Sequence, residues 1–396
     1  MIALLGYGKT TRAVANELKD AVFFADIEKP FIDEDGFEVL PSHAYDPQNF
    51  DFAVVSPGLP PHHPLVQCSL KVLSDYDLFF DRFPFSIWVS GTNGKTTTTQ
   101  MITHLLAKKG ALSGGNIGTP VAALDPDAPI WVLESSSFTL HYTNVAKPNL
   151  YILLPITPDH LSWHGSFEEY EAAKLKPVTM LKEGEVAIVP KKYLSTPTNG
   201  FLIGYEEPGD LASFFGIDMD KIAFKGAFLL DALLACAVTK ILFNECDYDR
   251  INAFCIDPHK QEEFFDSQGR LWVDDSKATN IDAALQAIER YAKKEIHLIL
   301  GGDNKGVSLE PLIAKLPKNI TIYAIGKAAD EIATLAAQYG IACKNVQNLE
   351  QAVKAIKEVH TKDSVALLSP ACASLDQFAS YKERGEKFKS FVLSKI

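Results

Sequence analysis

A lysine and a threonine close a short run bounded by glycines, Gly91-Thr92-Asn93-Gly94-Lys95-Thr96-Thr97. The run follows a β-branched and aromatic stretch at residues 87–90 and precedes apolar residues at helical spacing, which predicts a strand, a glycine turn and a helix. This geometry directs backbone N–H groups and a helix N-terminus at one place, which suits a phosphate. In such a loop the Lys95 ammonium contacts the terminal phosphates and the Thr96 hydroxyl binds Mg²⁺.

The loop is a shortened form of the phosphate-binding pattern. The full pattern has a glycine five residues before Gly94, and Val89 stands there. An ordinary glycine turn at the start of a helix is therefore the alternative interpretation. The strand before the loop and the helix after it favour phosphate binding.

Further polar groups follow the loop in the same part of the chain. A glycine-rich turn occupies residues 114–118, and Glu134 ends a predicted strand. His160, preceded by an aspartate, follows the next strand, and Lys174 lies on a predicted helix. Ligands of parallel sheets collect beyond the carboxyl ends of the strands, so a carboxylate and an imidazole there suit a metal beside a triphosphate. The alternatives are a cap on the serine turn for Glu134, a loop histidine, and a surface lysine.

Three polar turns follow predicted strands in the last part of the chain. They are residues 274–280, 301–306 and 369–374. Strands that alternate with helices form mostly parallel sheets, whose carboxyl ends share one edge. Three polar strand ends therefore predict a binding face, although helix capping by Ser276, Thr279 or Asn280 is an alternative for the first turn.

The alternation of strands and helices extends over the whole chain and predicts three α/β domains. We expect a Rossmann-like domain at residues 1–84, a central P-loop ATPase-like domain with a mostly parallel sheet at 85–257, and a second Rossmann-like domain at 258–396. The first domain opens with Gly6-Tyr7-Gly8 and has Asp26 after its second strand, but it lacks the third glycine of a dinucleotide site. A nucleotide-like ligand is predicted there, and NAD is not.

Composition limits the possible functions. The chain has 396 residues, 47% of them hydrophobic, which is ordinary for a globular protein of several domains. A formal charge of −12 argues against nucleic-acid or anionic-membrane binding, but a nucleotide needs only a local positive pocket. No apolar run approaches the ~20 residues of a membrane span. The six cysteines lack C-x-x-C spacing, which does not favour a zinc or redox site, and a cytoplasmic protein is expected.

Taken together, these motifs resemble the Mur ligase family over the whole chain. The matching segments stand in family order: residues 91–97, 115–118, 159–160, 275–280, 301–306 and 369–378. The last segment, Ser-Pro-Ala-Cys-Ala-Ser-Leu-Asp-Gln-Phe, is the most specific. It is similar to the family member that adds D-glutamate.

The resemblance implies an ATP-dependent amide ligase of peptidoglycan precursor synthesis. It implies that D-glutamate is added to UDP-N-acetylmuramoyl-L-alanine through an acyl phosphate, and that the three domains bind the UDP substrate, ATP and D-glutamate in that order. All partners are small molecules, two Mg²⁺ ions are expected, and so is a monomer. The first alternative is another Mur-type or folylpolyglutamate-type ligase. The second is a nucleotide-switched binding protein without ligase activity.

The resemblance also implies roles for individual residues. Lys95, His160 and Lys174 are the expected catalytic residues, and Lys174 is expected to carry a carbamate. The expected Mg²⁺ ligands are Thr96, Glu134, His160 and Lys174. The expected ATP contacts are Gly91, Thr92, Asn93, Gly94, Lys95, Thr96, Thr97, Asp275, Lys277 and Asn280. The expected substrate contacts are Lys9, Thr10 and Asp26 for the uridine diphosphate, Asn116 for the muramoyl group, and Thr279, Lys305, Ser374, Leu375 and Tyr381 for D-glutamate.

Overall fold

The chain is a mixed α/β protein, seen here in a computed structural model that describes residues 2–394. It divides into two compact units, the first ending at Phe254 and the second beginning at Cys255. The described residues form three six-stranded sheets, which confirms the predicted α/β class with mostly parallel strands. Two sheets belong to the first unit and one to the second. The predicted domain limits remain predictions.

The first sheet has five parallel strands and one antiparallel edge strand. Its strands are β1 (Ile2–Leu5), β2 (Ala21–Ala25), β3 (Phe31–Ile32), β4 (Glu38–Pro41), β5 (Ala53–Val55) and β6 (Val72–Leu73). Its helices are α1 (Lys9–Leu18), α2 (Pro64–Cys68) and α3 (Asp75–Phe79). The strand order is β3-β4-β2-β1-β5-β6, with β3 antiparallel to β4. Helix α1 starts just after β1, which places Lys9 and Thr10 at the carboxyl edge.

The second sheet is parallel throughout, in the order β12-β11-β10-β7-β9-β8. Its strands are β7 (Phe85–Ser90), β8 (Ala111–Gly115), β9 (Ile130–Glu134), β10 (Leu150–Leu153), β11 (Val186–Pro190) and β12 (Phe201–Tyr205). Its helices are α4 (Lys95–Leu106), α5 (Ser137–Tyr142), α6 (Leu161–His164), α7 (Phe167–Met180), α8 (Pro208–Phe215), α9 (Ala227–Phe243) and α10 (Tyr248–Asn252). The central strands are continuous apolar runs because helices cover both faces.

Helix α9 confirms one prediction in detail. Its sequence is apolar almost all round, which predicts a buried helix. Residues 232–238 have no solvent exposure, and α9 packs against α4, the helix that follows the glycine loop. The helix that follows the glycine loop, α4, therefore packs on an apolar helix whose middle is fully buried.

The third sheet makes up the core of the second unit. Its strands are β13 (Glu262–Phe265), β14 (Leu271–Asp274), β15 (Ile296–Gly301), β16 (Ile320–Ile325), β17 (Ala342–Gln347) and β18 (Val365–Leu368). Its helices are α11 (Ile281–Arg290), α12 (Glu310–Ile313), α13 (Ala329–Tyr339), α14 (Leu349–Lys357) and α15 (Tyr381–Leu393). The order is β13-β14-β18-β15-β16-β17, and only β13 is antiparallel to its neighbour.

The structure adds elements that the sequence patterns do not predict. The strands β3, β13 and β17 lie at sheet edges and expose many side chains, so they lack an apolar run. Residues 114 and 115 end β8, so the glycine turn is shorter than predicted. Short 3₁₀ helices complete the first unit: Ser42–Ala44, Pro47–Asn49, Phe80–Arg82, Ala107–Lys109, Val121–Ala123, Lys191–Tyr193 and Met219–Lys221. Within residues 2–394, no helix combines the length and apolar character that crossing a membrane requires.

Candidate active site

The loop between β7 and α4 requires glycine at two positions. Gly91 has a φ of +138°, and a Cβ atom there would lie 2.5 Å from the Leu154 Cβ. Gly94 has a φ of +84°, and its Cβ would lie 2.6 Å from an Asp231 carboxylate oxygen. Gly94 is also the N-cap of α4, and glycine has no side chain to accept from the first-turn N–H groups. These N–H groups therefore suit an anionic ligand.

Two lysine ammonium groups converge on one backbone carbonyl of this loop. Lys95 Nζ donates to the oxygens of Gly91 (3.0 Å) and Thr92 (2.8 Å), and Lys174 Nζ donates to the same Gly91 oxygen (2.7 Å). Burial lowers the pKa of Lys95. Burial, and then the charge of Lys95, lower the pKa of Lys174 much further. Two lysine side chains beside one neutral carbonyl favour a site that receives negative charge.

The surface alternative for Lys174 is wrong. Its side chain is 1% exposed, and its ammonium lies 4.7 Å from the centre of the Tyr170 ring. The Tyr170 hydroxyl in turn bonds to the Thr92 hydroxyl of the loop at 3.0 Å. Glu171, the acidic residue on the same helix that a surface lysine at 174 could pair with, contacts Lys192 instead. Helix α7 therefore presents Lys174 to the loop rather than to solvent.

Glu134 has a buried carboxylate oxygen that suits a cation. Its carboxylate is buried at the end of β9, and Oε1 accepts a hydrogen bond from the Asn116 amide at 2.7 Å. Among the described residues, Oε2 has no donor. A buried carboxylate oxygen without a donor is costly, and a bound cation would remove that cost. Ser136, not Glu134, caps the helix after the serine turn, so the capping alternative is wrong.

His160 lies in the loop after β10, as the N-cap of α6, in a left-handed conformation with a φ of +53°. Its ring packs edge-on against Phe138 at 4.8 Å between centroids, and Nε2 lies 3.6 Å from the Asp159 carboxylate. A left-handed backbone is uncommon for a residue other than glycine and is concentrated at functional sites. The imidazole is partly exposed, so it remains accessible to a ligand.

The strand order explains why these residues meet. Strands β10, β7 and β9 are parallel neighbours, and they end next to His160, the glycine loop and Glu134 respectively. Lys174 joins them from α7. The charges of Glu134 and Asp159 both act on the two lysines. The structure thus brings together the side chains at residues 95, 134 and 174, and it places His160 beside Tyr170, the ring that also contacts Lys174.

The residues expected to bind a uridine diphosphate lie at the carboxyl edge of the first sheet. The ammonium of Lys9 donates to the Gly118 carbonyl, in the turn that carries Asn116. Thr10 is half-buried on the same first turn of α1. Asp26 is exposed after β2, and its hydrogen bond with His63 (2.9 Å) lowers the pKa of this carboxyl group. Lys9 and Asn116 are therefore linked through one turn, whereas Asp26 is occupied by His63.

In the second unit, the three polar turns lie at one edge of the sheet, as expected. Strands β14, β18 and β15 are parallel neighbours and lead into them. The Ser369 hydroxyl donates to the Asp275 carboxylate at 2.7 Å, and Asp303 and Ala373 exchange two backbone hydrogen bonds. Burial raises the pKa of Asp275 to about 7, against the lowering effect of Ser369. The turns thus form one connected surface.

The predicted contact residues of this surface differ in their side-chain contacts and in their exposure to solvent. The Asn280 side chain caps α11, which confirms the capping alternative for that residue. The Lys277 ammonium lies 5.7 Å from the centre of the Tyr381 ring. Lys305 is exposed with a φ of +51°, and Leu375 is 72% exposed. Ser374 is buried and Thr279 is half-buried.

Sequence reasoning missed several residues of these sites. Asp231 is buried in α9 and accepts from the Thr98 hydroxyl at 2.8 Å, next to the glycine loop. Its signal is a single carboxylate in an otherwise apolar helix. His259, just after the predicted boundary between the second and third domains, is buried and contacts the Asp274 carboxylate at 2.6 Å. Arg384 is buried beneath the three polar turns. No local pattern marks Arg384.

One group of acidic and histidine side chains has the spacing of a metal site. His259, Glu262 and Asp274 each offer a ligand atom within 4.8 Å of the others. The Lys389 ammonium, however, lies 2.6 Å from Glu262 and 3.7 Å from Asp274. An ammonium group already compensates the carboxylates there. The cluster is therefore part of the second unit's hydrogen-bond network.

The fold and these sites define an α/β protein with a glycine loop between a strand and a helix of its first unit. Two family profiles match the chain: the Mur ligase middle domain over residues 89–198, and the Mur ligase, glutamate ligase domain over residues 262–372. The protein belongs to the Mur ligase family.

Relatives cover the chain from end to end. A UDP-N-acetylmuramoylalanine--D-glutamate ligase of Campylobacter jejuni is 50% identical over 397 residues, covering 99% of both chains. The ligase of the same name from Helicobacter pylori is 47% identical over 418 residues, again covering 99% of both. Among solved structures, the MurF ligase from Thermotoga maritima in complex with ADP matches with a TM-score of 0.59 and 16% identity, covering 94% of each chain. This last likeness concerns the fold.

Proposed function

We propose that this protein is an ATP-dependent amide ligase that adds D-glutamate to UDP-N-acetylmuramoyl-L-alanine in peptidoglycan precursor synthesis. The printed names of relatives at 50% and 47% identity over the full chain support this reaction. The structural observation that carries it is the convergence of Lys95 and Lys174 on the Gly91 carbonyl, beside a Glu134 oxygen that lacks a donor. That arrangement suits the charge of a triphosphate and its cation.

We assign one role to each sheet. Residues 1–84 form the Rossmann-like domain for the UDP substrate, 85–257 the P-loop ATPase-like domain for ATP, and 258–396 the Rossmann-like domain for D-glutamate. The three separate sheets and the position of the glycine loop between β7 and α4 support the assignment. We also propose a cytoplasmic monomer that acts on small molecules and binds no nucleic acid.

The residues around Glu134 fit a divalent cation. A buried carboxylate oxygen without a donor, a hydroxyl at Thr96 and an imidazole at His160 supply oxygen and nitrogen ligands from adjacent strand ends. These residues would hold Mg²⁺, with two ions in the complete site. Mg²⁺ would supply charge neutralisation of the triphosphate.

Lys174 is suited to become a carbamate. Burial lowers its pKa, which favours the neutral amine. A neutral amine attacks the carbon of CO₂ and loses one proton, which leaves an N-linked carboxylate. The carbamate is negatively charged, so the Lys95 ammonium attracts it. The carbamate would then serve as an oxygen ligand to Mg²⁺.

The first step of the reaction depends more on offsetting the repulsion between the substrate carboxylate and the triphosphate than on proton transfer. The carboxylate of the UDP substrate attacks the γ-phosphorus of ATP, ADP leaves, and an acyl phosphate forms. Lys95 and the N–H groups of the loop offset the repulsion between the two anions. The amine of D-glutamate then attacks the acyl carbon, loses a proton and expels phosphate to leave an amide. The expected contacts to D-glutamate are Thr279, Lys305, Ser374, Leu375 and Tyr381.

A phosphate-release assay tests the proposal. The protein is incubated with ATP, Mg²⁺ and UDP-N-acetylmuramoyl-L-alanine, and a panel of amino acids is added one at a time. We expect rapid phosphate release only when both the UDP substrate and D-glutamate are present. Release with another amino acid, or with a folate and glutamate, would assign a different ligase. ATP hydrolysis at a rate that does not change when any acceptor is added would support a nucleotide-switched binding protein instead.

A further inference from the structure

Arg384 is a fully buried arginine that reaches all three polar turns of the second unit. It lies on the first turn of α15 and is 1% exposed. Its Nε donates to the Ser276 hydroxyl at 3.0 Å, and Nη2 donates to the Ser276 carbonyl at 2.8 Å. Both terminal nitrogens also donate to the Cys372 carbonyl, at 3.2 and 3.1 Å.

The third turn contacts the same guanidinium without a hydrogen bond. A Cβ atom built on Gly302 would lie 3.3 Å from Arg384 Nη1 and 2.2 Å from the Ala373 carbonyl oxygen. Gly302 has a φ of +131°, so both space and backbone conformation require glycine there. The turn at 301–306 is thus seated directly against the arginine.

The arginine is also linked to Tyr381. The Ser276 hydroxyl that accepts from Arg384 donates to the Tyr381 carbonyl at 2.8 Å. One side chain therefore fixes the segments that carry Thr279, Lys305, Ser374 and Tyr381. These are four of the five residues expected to surround D-glutamate.

Arg384 differs from the other buried arginine of this unit, Arg270, in the partners of its guanidinium group. Arg270 is paired with the Asp266 carboxylate at 2.7 Å. All four hydrogen bonds of Arg384 go to neutral oxygens, and no carboxylate in residues 2–394 forms an ion pair with it. Burial accordingly lowers the pKa of Arg384, to about 10, so it remains a cation at neutral pH. The charges of Asp376 and Asp274 act on Arg384 without forming an ion pair with it, so part of its positive charge is not neutralised by a direct partner.

We propose that Arg384 is a positioning residue for an acidic amino-acid substrate, holding the three turns in register while its positive charge, which forms no ion pair within residues 2–394, attracts the two carboxylates of D-glutamate. This inference rests on the proposed function. It explains why a cation is buried at a binding edge where a neutral side chain would cost less. It also gives the site a preference for a dicarboxylic over a neutral amino acid.

Paired substitutions at the two arginines test the proposal. Arg384→Lys keeps the charge but loses the planar fork, and Arg384→Gln loses both. Arg270→Lys and Arg270→Gln are the matched controls, because they disturb an equally buried arginine in the same unit. For each variant we would measure the thermal midpoint, kcat, and KM for D-glutamate, ATP and the UDP substrate.

We expect KM for D-glutamate to rise about tenfold in Arg384→Lys and more in Arg384→Gln, as for a lost hydrogen bond to a charged group. KM for the UDP substrate should change little. The Arg270 variants should lose thermal stability without raising KM for D-glutamate. Equal KM values across both pairs would overturn the proposal, because Arg384 would then be structural only.

If the Arg384 variants do not fold, the Ser276→Ala variant provides a second test of the same proposal. It removes the hydroxyl between Arg384 and Tyr381, and we expect a smaller rise in KM for D-glutamate alone. An unchanged KM would contradict the positioning role. The unmodified protein serves as the reference, because failure of the proposed function would appear there as absent ligation with D-glutamate, before any variant is compared.

Discussion

The two units of the protein hold their charged groups in opposite ways. At the glycine loop of the first unit, Lys95 and Lys174 are bound mainly by backbone carbonyls, and Glu134 has an oxygen without a donor in residues 2–394. At the turns of the second unit, Asp275 accepts from Ser369, and Arg384 makes four hydrogen bonds. The first site has polar groups left to satisfy, whereas the second is internally connected.

This difference indicates that the two sites have different roles, one in binding charged ligands and the other in positioning a substrate. Unsatisfied buried charge is costly, so the proposed function implies that the first site gives up stability for strong binding of phosphate and metal. A connected network fixes geometry, which suits a site that must hold a flexible amino acid in one pose. Substitutions in the first site should therefore reduce turnover with little loss of stability. Substitutions in the second should act mainly on substrate affinity.

The largest effect is expected for Lys95→Ala. Loss of the ammonium at the terminal phosphates should lower kcat by about a thousandfold or more. The thermal midpoint should hardly fall, because the lysine has only carbonyl partners there. Lys176→Ala is the control, since Lys176 donates to carbonyls on the other side of α7. Near-normal turnover in Lys95→Ala would remove the loop from the mechanism.

Lys174→Ala should come next, with a loss of about a hundredfold or more if a metal ligand is removed. The carbamate proposal makes a sharper prediction. A short-chain carboxylic acid added to this variant should restore activity in part, because it supplies the missing carboxylate, whereas bicarbonate should restore it poorly. Full activity of the alanine variant without any additive would contradict the carbamate.

Glu134→Gln tests the oxygen that lacks a donor. The amide keeps the shape and the contact region of Asn116 but removes the negative charge. We expect a rise of about ten- to a hundredfold in the Mg²⁺ concentration needed for half-maximal activity. The thermal midpoint without Mg²⁺ should stay level or rise, because a buried charge is removed. An unchanged Mg²⁺ requirement would show that Glu134 holds no metal.

The smallest effect is expected for Lys305→Ala in the second unit. Lys305 is exposed and lies on one of the three turns, so its removal should raise KM for D-glutamate about tenfold while leaving kcat nearly unchanged. Lys315→Ala, at an exposed site beyond α12, is a suitable control. A fall in kcat with an unchanged KM would place Lys305 with the reacting groups and would weaken the contrast between the two units.

The parts of this architecture that follow from local pattern could be predicted from sequence. Buried strands are continuous apolar runs, and polar turns after them mark the carboxyl edges of the sheets. The glycine loop and the helix at 227–243 could also be predicted, because each follows from a pattern of neighbouring residues in the sequence. Edge strands such as β17 expose polar side chains and leave no such trace.

Long-range contacts could not be predicted in this way. Arg384 and Ser276 are 108 residues apart, and Lys174 and Gly91 are 83 apart. The burial of Lys174 depends on how α7 packs, and the network around Arg384 depends on three strands that come from distant parts of the sequence. The functional reading of Lys174 came from a family resemblance, and Arg384 had no such signal.

On the proposed function, the first unit activates a substrate carboxylate as an acyl phosphate. The most direct test is a single turnover with UDP-N-acetylmuramoyl-L-alanine whose carboxylate carries a heavy oxygen isotope, in the presence of ATP, Mg²⁺ and D-glutamate. The account predicts that the inorganic phosphate released carries one labelled oxygen, since the attacking carboxylate oxygen leaves with the phosphate. Phosphate that contains no label, with amide product formed, would contradict it.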